Sequence, residues 1–315
     1  MQEIYKKDHS SIADDEINFQ EIYSIIIEGR KTIFSIAALV LIVAILFSFL
    51  LPNVYQSNAL LSPSNAGNGI SSALKGYSGL AGLAGIGLPN EDDDNNSIKA
   101  IEKLNSLSFF ENNILPEIFL PDLMALKSWD YKINKLVYDD SLYDITSNTW
   151  IRDYSYPSKQ IPSAQESFEV FQDDHLSISE DTKTGFVTVS VKHQSPFLAK
   201  EWTELLIKEI NEFYRQKDKL ESQKSVTYLN NQIVMTNLSE IKVVIAELLQ
   251  QETQKLTLVE ANEDYVFEYI DPPAIMEEES EPNRVLIVIF GMLLGCIFGF
   301  LAVLIKHYLY KIQNP

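Results

Sequence analysis

Two long apolar segments, one near each end of the chain, dominate its hydrophobic pattern. They cover residues 32–51 and 285–305, twenty and twenty-one residues long, and neither contains a charged side chain. At a rise of ~1.5 Å per residue, each helix would be about 30 Å long, which is enough to cross the core of a bilayer. The pattern therefore predicts two transmembrane helices, with most of the chain between them.

The charges that flank these segments predict their orientation. Arg30 and Lys31 precede the first segment and Lys306 follows the second, whereas the acidic run 277–281 lies before the second segment. Lysine and arginine concentrate on the cytoplasmic side of membrane helices. We therefore expect both termini (residues 1–31 and 306–315) in the cytoplasm, and residues 52–284 outside it.

The exported region mixes strand and helix patterns. Residues 54–61 and 265–270 favour single strands, and the alternation across 174–193 favours a β-hairpin around Gly185. Short helices and loops are expected from 109 to 172, where prolines interrupt the pattern. The first and last strands each lie next to a predicted membrane helix in sequence, so we expect them to share one membrane-proximal sheet.

A long helical segment begins at Ser195-Pro196, and it contains neither glycine nor proline from Phe197 through Ile270. The chain must return to the membrane by residue 285, so we expect a hairpin over 195–261, with a rising helix of roughly 40 residues and a return helix of ~22. The capping-box spacing of Asn237 and Glu240 places the break near 236–239. Five apolar residues at helical spacing are predicted to line the seam: Val234, Leu238, Ile241, Ile245 and Leu248.

The predicted fold is thus an α+β membrane protein. Its two transmembrane helices flank a periplasmic domain with an α/β base (52–194 and 262–284) and the helical hairpin.

Composition narrows the functional classes. The exported region carries 19 Lys+Arg against 37 Asp+Glu, which argues against nucleic acid and anionic lipid headgroups as partners. The single cysteine, Cys296, lies within the second apolar segment, so no disulfide is expected in the exported region, which fits a bacterial periplasm. The two cytoplasmic ends are too short to hold a kinase or another folded output domain.

The sequence offers little for catalysis, and we predict no catalytic residue, cofactor site or metal site. His175 and His193 fall on the predicted β-hairpin without the motif of a nucleophile. The acidic run that begins at Asp92 lacks the glycine and the final glutamate of a calcium-binding EF-hand loop. The glycine-rich stretch 79–87 lacks the lysine of a phosphate-binding loop.

A stripe of small residues marks the second apolar segment. Gly291, Gly295 and Gly299 recur at every fourth position, which places them on one face of a helix. Such a stripe is typical of close helix packing. We expect it to contact the first membrane helix of the same or a neighbouring subunit.

Several of these features together resemble the bacterial polysaccharide co-polymerases, the O-antigen chain length determinant (Wzz-type) proteins. The features are Pro-x-Val-Tyr-x-Ser at Pro52–Ser57 after the first apolar segment, the Gly-Leu-Ala-Gly-Leu-Ala-Gly loop at 79–85, Ser195-Pro196 before the long helix, and Phe267–Pro273. Two departures stand out: the stretch before the second apolar segment is acidic where the family is proline-rich, and the return helix is short.

The resemblance implies a non-enzymatic protein of the bacterial inner membrane that controls the length of a lipid-linked glycan. It implies that the protein forms an octamer-like ring of identical subunits, and it implies the O-antigen polymerase and the lipid-linked glycan as partners. It would also place the loop glycines towards the interior of the ring: Gly79, Gly82, Gly85 and Gly87.

Alternative functions stay open at this point. The chain could act on a capsule, an exopolysaccharide or a glycan like the enterobacterial common antigen, although it lacks the phosphate-binding loop of the kinases that many such systems use. A periplasmic sensor or interaction module is the alternative from another class, and a periplasmic hydrolase ranks last.

Overall fold

The computed structural model describes residues 19–64 and 96–313, and the chain divides into two compact units. One unit contains both ends of the chain, Met1–Leu51 and Pro282–Pro315, and the other is the intervening region Pro52–Glu281. The two units are described separately below. The candidate loop of Gly79, Gly82, Gly85 and Gly87 and the acidic run at Asp92 lie outside the described residues.

The helices are α1 (Phe19–Leu50), α2 (Asn96–Leu104), α3 (Leu107–Phe109), α4 (Leu120–Met124), α5 (Ala164–Val170), α6 (Pro196–Met235), α7 (Ser239–Ala261) and α8 (Arg284–Gln313). The strands are β1 (Tyr55–Pro63), β2 (Leu126–Asp130), β3 (Lys135–Tyr138), β4 (Tyr143–Asp144), β5 (Thr149–Trp150), β6 (Leu176–Glu180), β7 (Val187–His193) and β8 (Phe267–Asp271). Phe110–Ile114 and Phe171–His175 continue α3 and α5 as π-helical turns.

The first unit consists of α1 packed against α8. Ile25–Leu50 and Arg284–Leu309 are long and apolar enough to cross a membrane. Both helices extend beyond the apolar segments that predicted them: α1 begins thirteen residues before residue 32, and α8 ends eight residues after residue 305. Neither flank contains proline, so the helical hydrogen bonds continue past the apolar stretch.

A four-stranded antiparallel sheet forms the base of the second unit, in the order β6-β7-β1-β8. The predicted strands at 54–61, 174–193 and 265–270 are confirmed within a few residues. The first strand pairs directly with the last, for example Leu61 with Tyr269, so the expected shared sheet is also confirmed.

The core of this unit lies between the sheet and the first half of α6. Alternate residues of β7 are fully buried, and α6 covers them with a stripe that includes Trp202, Leu206 and Ile210. The period of two in the strand and of three to four in the helix brings two apolar faces together. Burial of these faces holds the base of α6 against the sheet.

The region 109–172 differs in part from the prediction of short helices and loops. It contains two further two-stranded antiparallel sheets, β2-β3 and β4-β5. The turn that precedes β3 contains Asn134 at φ 47°, and the turn that precedes β5 contains Asn148 at φ 55°. Asparagine tolerates this left-handed conformation better than most residues, so these two positions were the available turn signals.

The helical hairpin is present, with a 40-residue α6 and a 23-residue α7 separated by three residues, 236–238. The ion pair of Lys219 with Glu260, at 3.0 Å, shows that α7 runs back along the second half of α6. The expected capping box is wrong, because Leu238 occupies the N-cap and its side chain cannot accept a hydrogen bond from the helix.

Candidate functional site: the glycine contact and the helical hairpin

The three glycines predicted to form a packing stripe lie on the face of α8 that contacts α1 of the same chain. A Cβ atom on Gly295 would lie 2.9 Å from the Cα atom of Ala37, and one on Gly299 would lie 2.9 Å from the Cα atom of Ile33. The nearest atoms belong to the backbone, which cannot move aside as a flexible side chain can. The absence of side chains at these positions therefore sets the distance between the two helices.

The contact extends over the length of both helices. A Cβ on Gly291 would collide with Ala44, and a Cβ on Gly29 would collide with Val303. Gly29 was missed in the sequence because it stands alone and lies before the predicted span. Near the other end of the contact, Nη1 of Arg284 donates a hydrogen bond to the carbonyl oxygen of Ser48 at 3.2 Å. The two helices are thus fixed at both ends and in the middle.

The seam between α6 and α7 differs from the prediction. Ile245 is buried, whereas four of the predicted seam residues are between 39% and 81% exposed: Val234, Leu238, Ile241 and Leu248. The prediction placed the apolar residues before and after 236–238 on one continuous helical face. These residues are not helical, so the phase starts again in α7.

The observed inner face of α7 contains Ile245, Leu249, Leu256 and Val259, which recur at spacings of four, seven and three residues. On the second half of α6 the small, polar Ser222 is fully buried, and Val226, Leu229 and Ile233 are half-buried. Within the described residues, the hydroxyl of Ser222 has no hydrogen-bond partner. A small side chain on one helix lets the apolar side chains of the other approach closely, and a search for apolar periodicity alone does not detect such a position.

A buried asparagine ties α6 to the last strand. Oδ1 of Asn211 accepts hydrogen bonds from the backbone N–H groups of Val266 (2.8 Å) and Phe267 (2.9 Å), and its Nδ2 donates to the carbonyl oxygen of Phe267 at 2.9 Å. The hydroxyl of Tyr265 donates to Asp218 at 2.6 Å, further along the same helix. These bonds fix the direction in which the hairpin leaves the sheet. Neither residue was predicted, because no local pattern marks them.

The two chain ends of the second unit are also joined. Val54 donates a backbone hydrogen bond to the carbonyl oxygen of Glu281 at 2.9 Å, and Nζ of Lys192 on β7 lies 2.5 Å from the carboxylate of the same glutamate. At least one member of the acidic run 277–281 thus has a structural partner. This contact holds together the segments that follow α1 and precede α8 along the chain.

Two histidines of the second unit, the half-buried His175 and the buried His193, lie side by side in its base. The rings of His175 and His193 are 5.7 Å apart, and the His193 ring is 4.9 Å from that of Trp202. Nδ1 of His193 accepts a hydrogen bond from the N–H of Ser195 at 2.9 Å, while Nε2 lies 3.3 Å from the carbonyl oxygen of Asp122. Burial lowers the pKa of His175 and lowers that of His193 to about 4. A neutral His193 whose ring nitrogens both have partners packs the base and has no free nitrogen for proton transfer.

Other features that could bind a ligand are limited in the described residues. Across 19–64 and 96–313, no group of three His, Cys, Asp or Glu residues could hold a metal ion. A cleft of about 280 Å³ on the hairpin is lined by Arg215, Gln216, Lys219, Val259 and Glu260. This volume is below the roughly 300–1,000 Å³ of most small-molecule sites, and the Lys219–Glu260 ion pair lies within it.

Comparisons with known proteins found one matching family model and several similar solved structures. The family model of the chain length determinant protein (Wzz) matches residues 15–113. A solved structure described as a full-length bacterial polysaccharide co-polymerase is 13% identical, with a TM-score of 0.42, and the match covers 95% of this chain and 100% of that one. A fragment of WzzB, a polysaccharide co-polymerase from Salmonella Typhimurium, is 14% identical, with a TM-score of 0.30, and the match covers 73% and 100%. No curated protein matches the chain.

The region matched by the family model includes α1, β1 and the start of the core, and it contains the Pro52–Ser57 motif that first suggested the resemblance. Over residues 15–113 the chain carries the sequence pattern of the chain length determinant family, and the resemblance inferred from its motifs is confirmed.

Proposed function

We propose that this protein regulates the chain length of lipopolysaccharide O-antigen, or of a related surface glycan, without catalysing bond formation itself. The match of residues 15–113 to the chain length determinant family carries this proposal. Its place is the bacterial inner membrane, which α1 and α8 cross with both termini in the cytoplasm. Residues 52–284 then lie in the periplasm, where the polymerase extends the lipid-linked glycan.

The protein acts in this proposal as a ring of identical subunits beside the glycan polymerase. The exposed apolar side chains around the break between α6 and α7 support an assembly, because a soluble monomer rarely presents several of them together. They are Val234 (81% exposed), Met235 (75%) and Leu238 (58%).

Deletion of the gene, followed by gel separation of the surface glycan, tests this proposal. We expect the strain without the protein to make glycan of unregulated length, and the restored gene to bring back a preferred length. A strain that loses all polymer would indicate a protein needed for the chemistry, and an unchanged ladder would indicate another function. Other surface glycans run on the same gels identify the glycan that responds.

A further inference from the structure

The β2-β3 hairpin is an exception to the acidic character of the second unit. Residues 126–138 contain Lys127, Lys132 and Lys135 against the single acid Asp130, and Asp139 and Asp140 follow directly after β3. All three lysines are exposed, and within the described part of the chain none of them forms an ion pair, although Lys127 interacts electrostatically with Asp139. The composition of the whole region argues against contact with anionic lipid, but this local charge has the opposite sign.

The tip of the same hairpin presents apolar side chains to solvent. Tyr131 is 71% exposed and Ile133 is 67% exposed, and Lys132 lies between them in sequence. The turn is well defined, since Oδ1 of Asp130 accepts a hydrogen bond from the N–H of Lys132 at 2.9 Å and Trp129 donates from Nε1 to Asn134 at 2.9 Å. A rigid turn that exposes one aromatic and one aliphatic side chain among lysines has the composition of a segment that enters the headgroup layer of a membrane.

The hairpin is attached close to the start of the second unit. The ring of Trp129 packs edge-on against that of Tyr55, with 5.6 Å between the ring centroids, and it lies 6.4 Å from that of Phe197. Tyr55 follows the last residue of α1 by five positions, and five extended residues span at most about 18 Å. The hairpin therefore packs against a residue that lies close in sequence to the end of the candidate membrane helix.

We propose that the β2-β3 hairpin docks on the lipid surface of the membrane in which the chain is anchored. Tyr131 and Ile133 enter the headgroup layer, and the three lysines contact anionic phospholipid. Each lysine near such a surface favours contact about fivefold. Docking would hold the base of the second unit at a fixed height above the bilayer. This inference rests on α1 and α8 spanning the membrane, but it does not depend on the glycan or the polymerase.

A fluorescent probe on the hairpin tip tests the proposal in the full-length protein. In a chain with Cys296→Ala, Ile133→Cys is labelled with an environment-sensitive dye and placed in nanodiscs of phosphatidylglycerol and phosphatidylcholine. We expect loss of fluorescence when lipids with a quencher near the headgroup are included. Val243→Cys is the matched control: Val243 is 59% exposed but lies in the first turns of α7, far along the hairpin from the base. Its probe should keep its intensity.

The role of charge is tested by a triple variant, Lys127→Gln, Lys132→Gln and Lys135→Gln. It should reduce quenching of the Ile133 probe, and added salt should do the same in the unsubstituted chain, because salt screens exposed charges. A control with the same change in net charge replaces three exposed lysines elsewhere: Lys159→Gln, Lys183→Gln and Lys224→Gln. The control should leave the quenching unchanged.

Three results would overturn the proposal. A probe at residue 133 that is as unquenched as the control probe would show that the hairpin stays in water. A probe that is shielded from water but not quenched by lipid would show that protein, such as a second copy of the chain, covers the tip. Equal quenching in the two triple variants would show that the lysines do not recognise anionic lipid. None of these measurements involves polymer, so their failure is separable from failure of the proposed function.

Discussion

Substitution of Gly295 by leucine tests the close contact between α1 and α8. A Cβ at this position would lie 2.9 Å from the Cα atom of Ala37 and 3.1 Å from its carbonyl oxygen. Carbon atoms pack at about 3.5–4.0 Å, so even the first added carbon requires the helices to separate. Leucine adds three more carbon atoms in the same direction. The smaller change Gly295→Ala should therefore have an intermediate effect.

The expected cost follows from studies of overpacked sites. Forcing extra carbon atoms into a close contact costs about 1–3 kcal/mol. A cost of about 2 kcal/mol lowers the equilibrium population of the packed helix pair about thirtyfold relative to separated helices. Cys296→Leu is the matched control, because the neighbouring Cys296 is exposed on the surface of α8. It adds bulk to the same helix without pressing on α1.

Disulfide formation between the helices provides the assay. Gly29→Cys and Val303→Cys place two thiols at a site where the added Cβ atom of residue 29 would lie 3.0 Å from the Cβ of Val303. Small adjustments bring this pair to the roughly 3.5–4.5 Å of a disulfide. The assay uses membranes from cells that express this double variant with Cys296→Ala added, which removes the native thiol. An oxidant should then join the two introduced thiols in a disulfide. The remaining thiols are counted by a mass-shifting maleimide on a gel.

We expect Gly295→Leu to slow disulfide formation about tenfold or more. The control carries leucine in place of alanine at residue 296, and its rate of disulfide formation should be unchanged. Equal rates in the leucine variants at 295 and 296 would refute the reasoning, because the glycine would then not set the distance between the helices.

Three further predictions concern the second unit. Asn211→Ala removes all three hydrogen bonds to the backbone around β8 and should lower the free energy of unfolding by about 3 kcal/mol, as measured by urea titration. The control Asn262→Ala removes one hydrogen bond of 2.9 Å and should lower it by less than about 1 kcal/mol. Acidification from pH 7 to pH 4 should lower the free energy of unfolding by roughly 3 kcal/mol, because His193 has a pKa near 6.5 in the unfolded chain and of about 4 in the folded chain. The unfolded chain therefore binds the proton first as the pH falls. His193→Gln should flatten this pH dependence of stability. Ile245→Asp places a charge in the buried seam and should make the hairpin sensitive to limited proteolysis. The control Val243→Asp, at an exposed position of the same helix, should not. Equal cleavage of the two variants would contradict the observed seam.

The features predicted correctly from the sequence depend on short-range pattern. The apolar segments and the strands of the sheet each follow from hydrophobicity or periodicity within a few residues. The break near 236–238 and the pairing of β1 with β8 followed from one topological argument, that both ends of the region between the apolar segments return to the membrane. These inferences needed no knowledge of side-chain contacts.

The features that were missed depend on contacts between distant residues. The predicted seam failed because three non-helical residues reset the phase of α7, which turned Leu248 outward and left Leu249 inside. Asn211 carries no local signal, since its partners lie more than fifty residues away. The β2-β3 hairpin is short, and only Asn134 marks its turn. Each of these is set by tertiary packing, which periodicity does not encode.

Reconstitution of polymerisation from purified components tests the central claim most directly. The glycan polymerase and its lipid-linked repeat units are placed in proteoliposomes with or without this protein, and both total polymer and its length distribution are measured. We predict that the protein leaves the total number of glycosidic bonds within about twofold but narrows a broad distribution to a preferred length, because in the proposed function it acts through assembly and forms no bond itself. Polymer made or degraded by this protein alone, or a distribution that it leaves unchanged, would contradict the account.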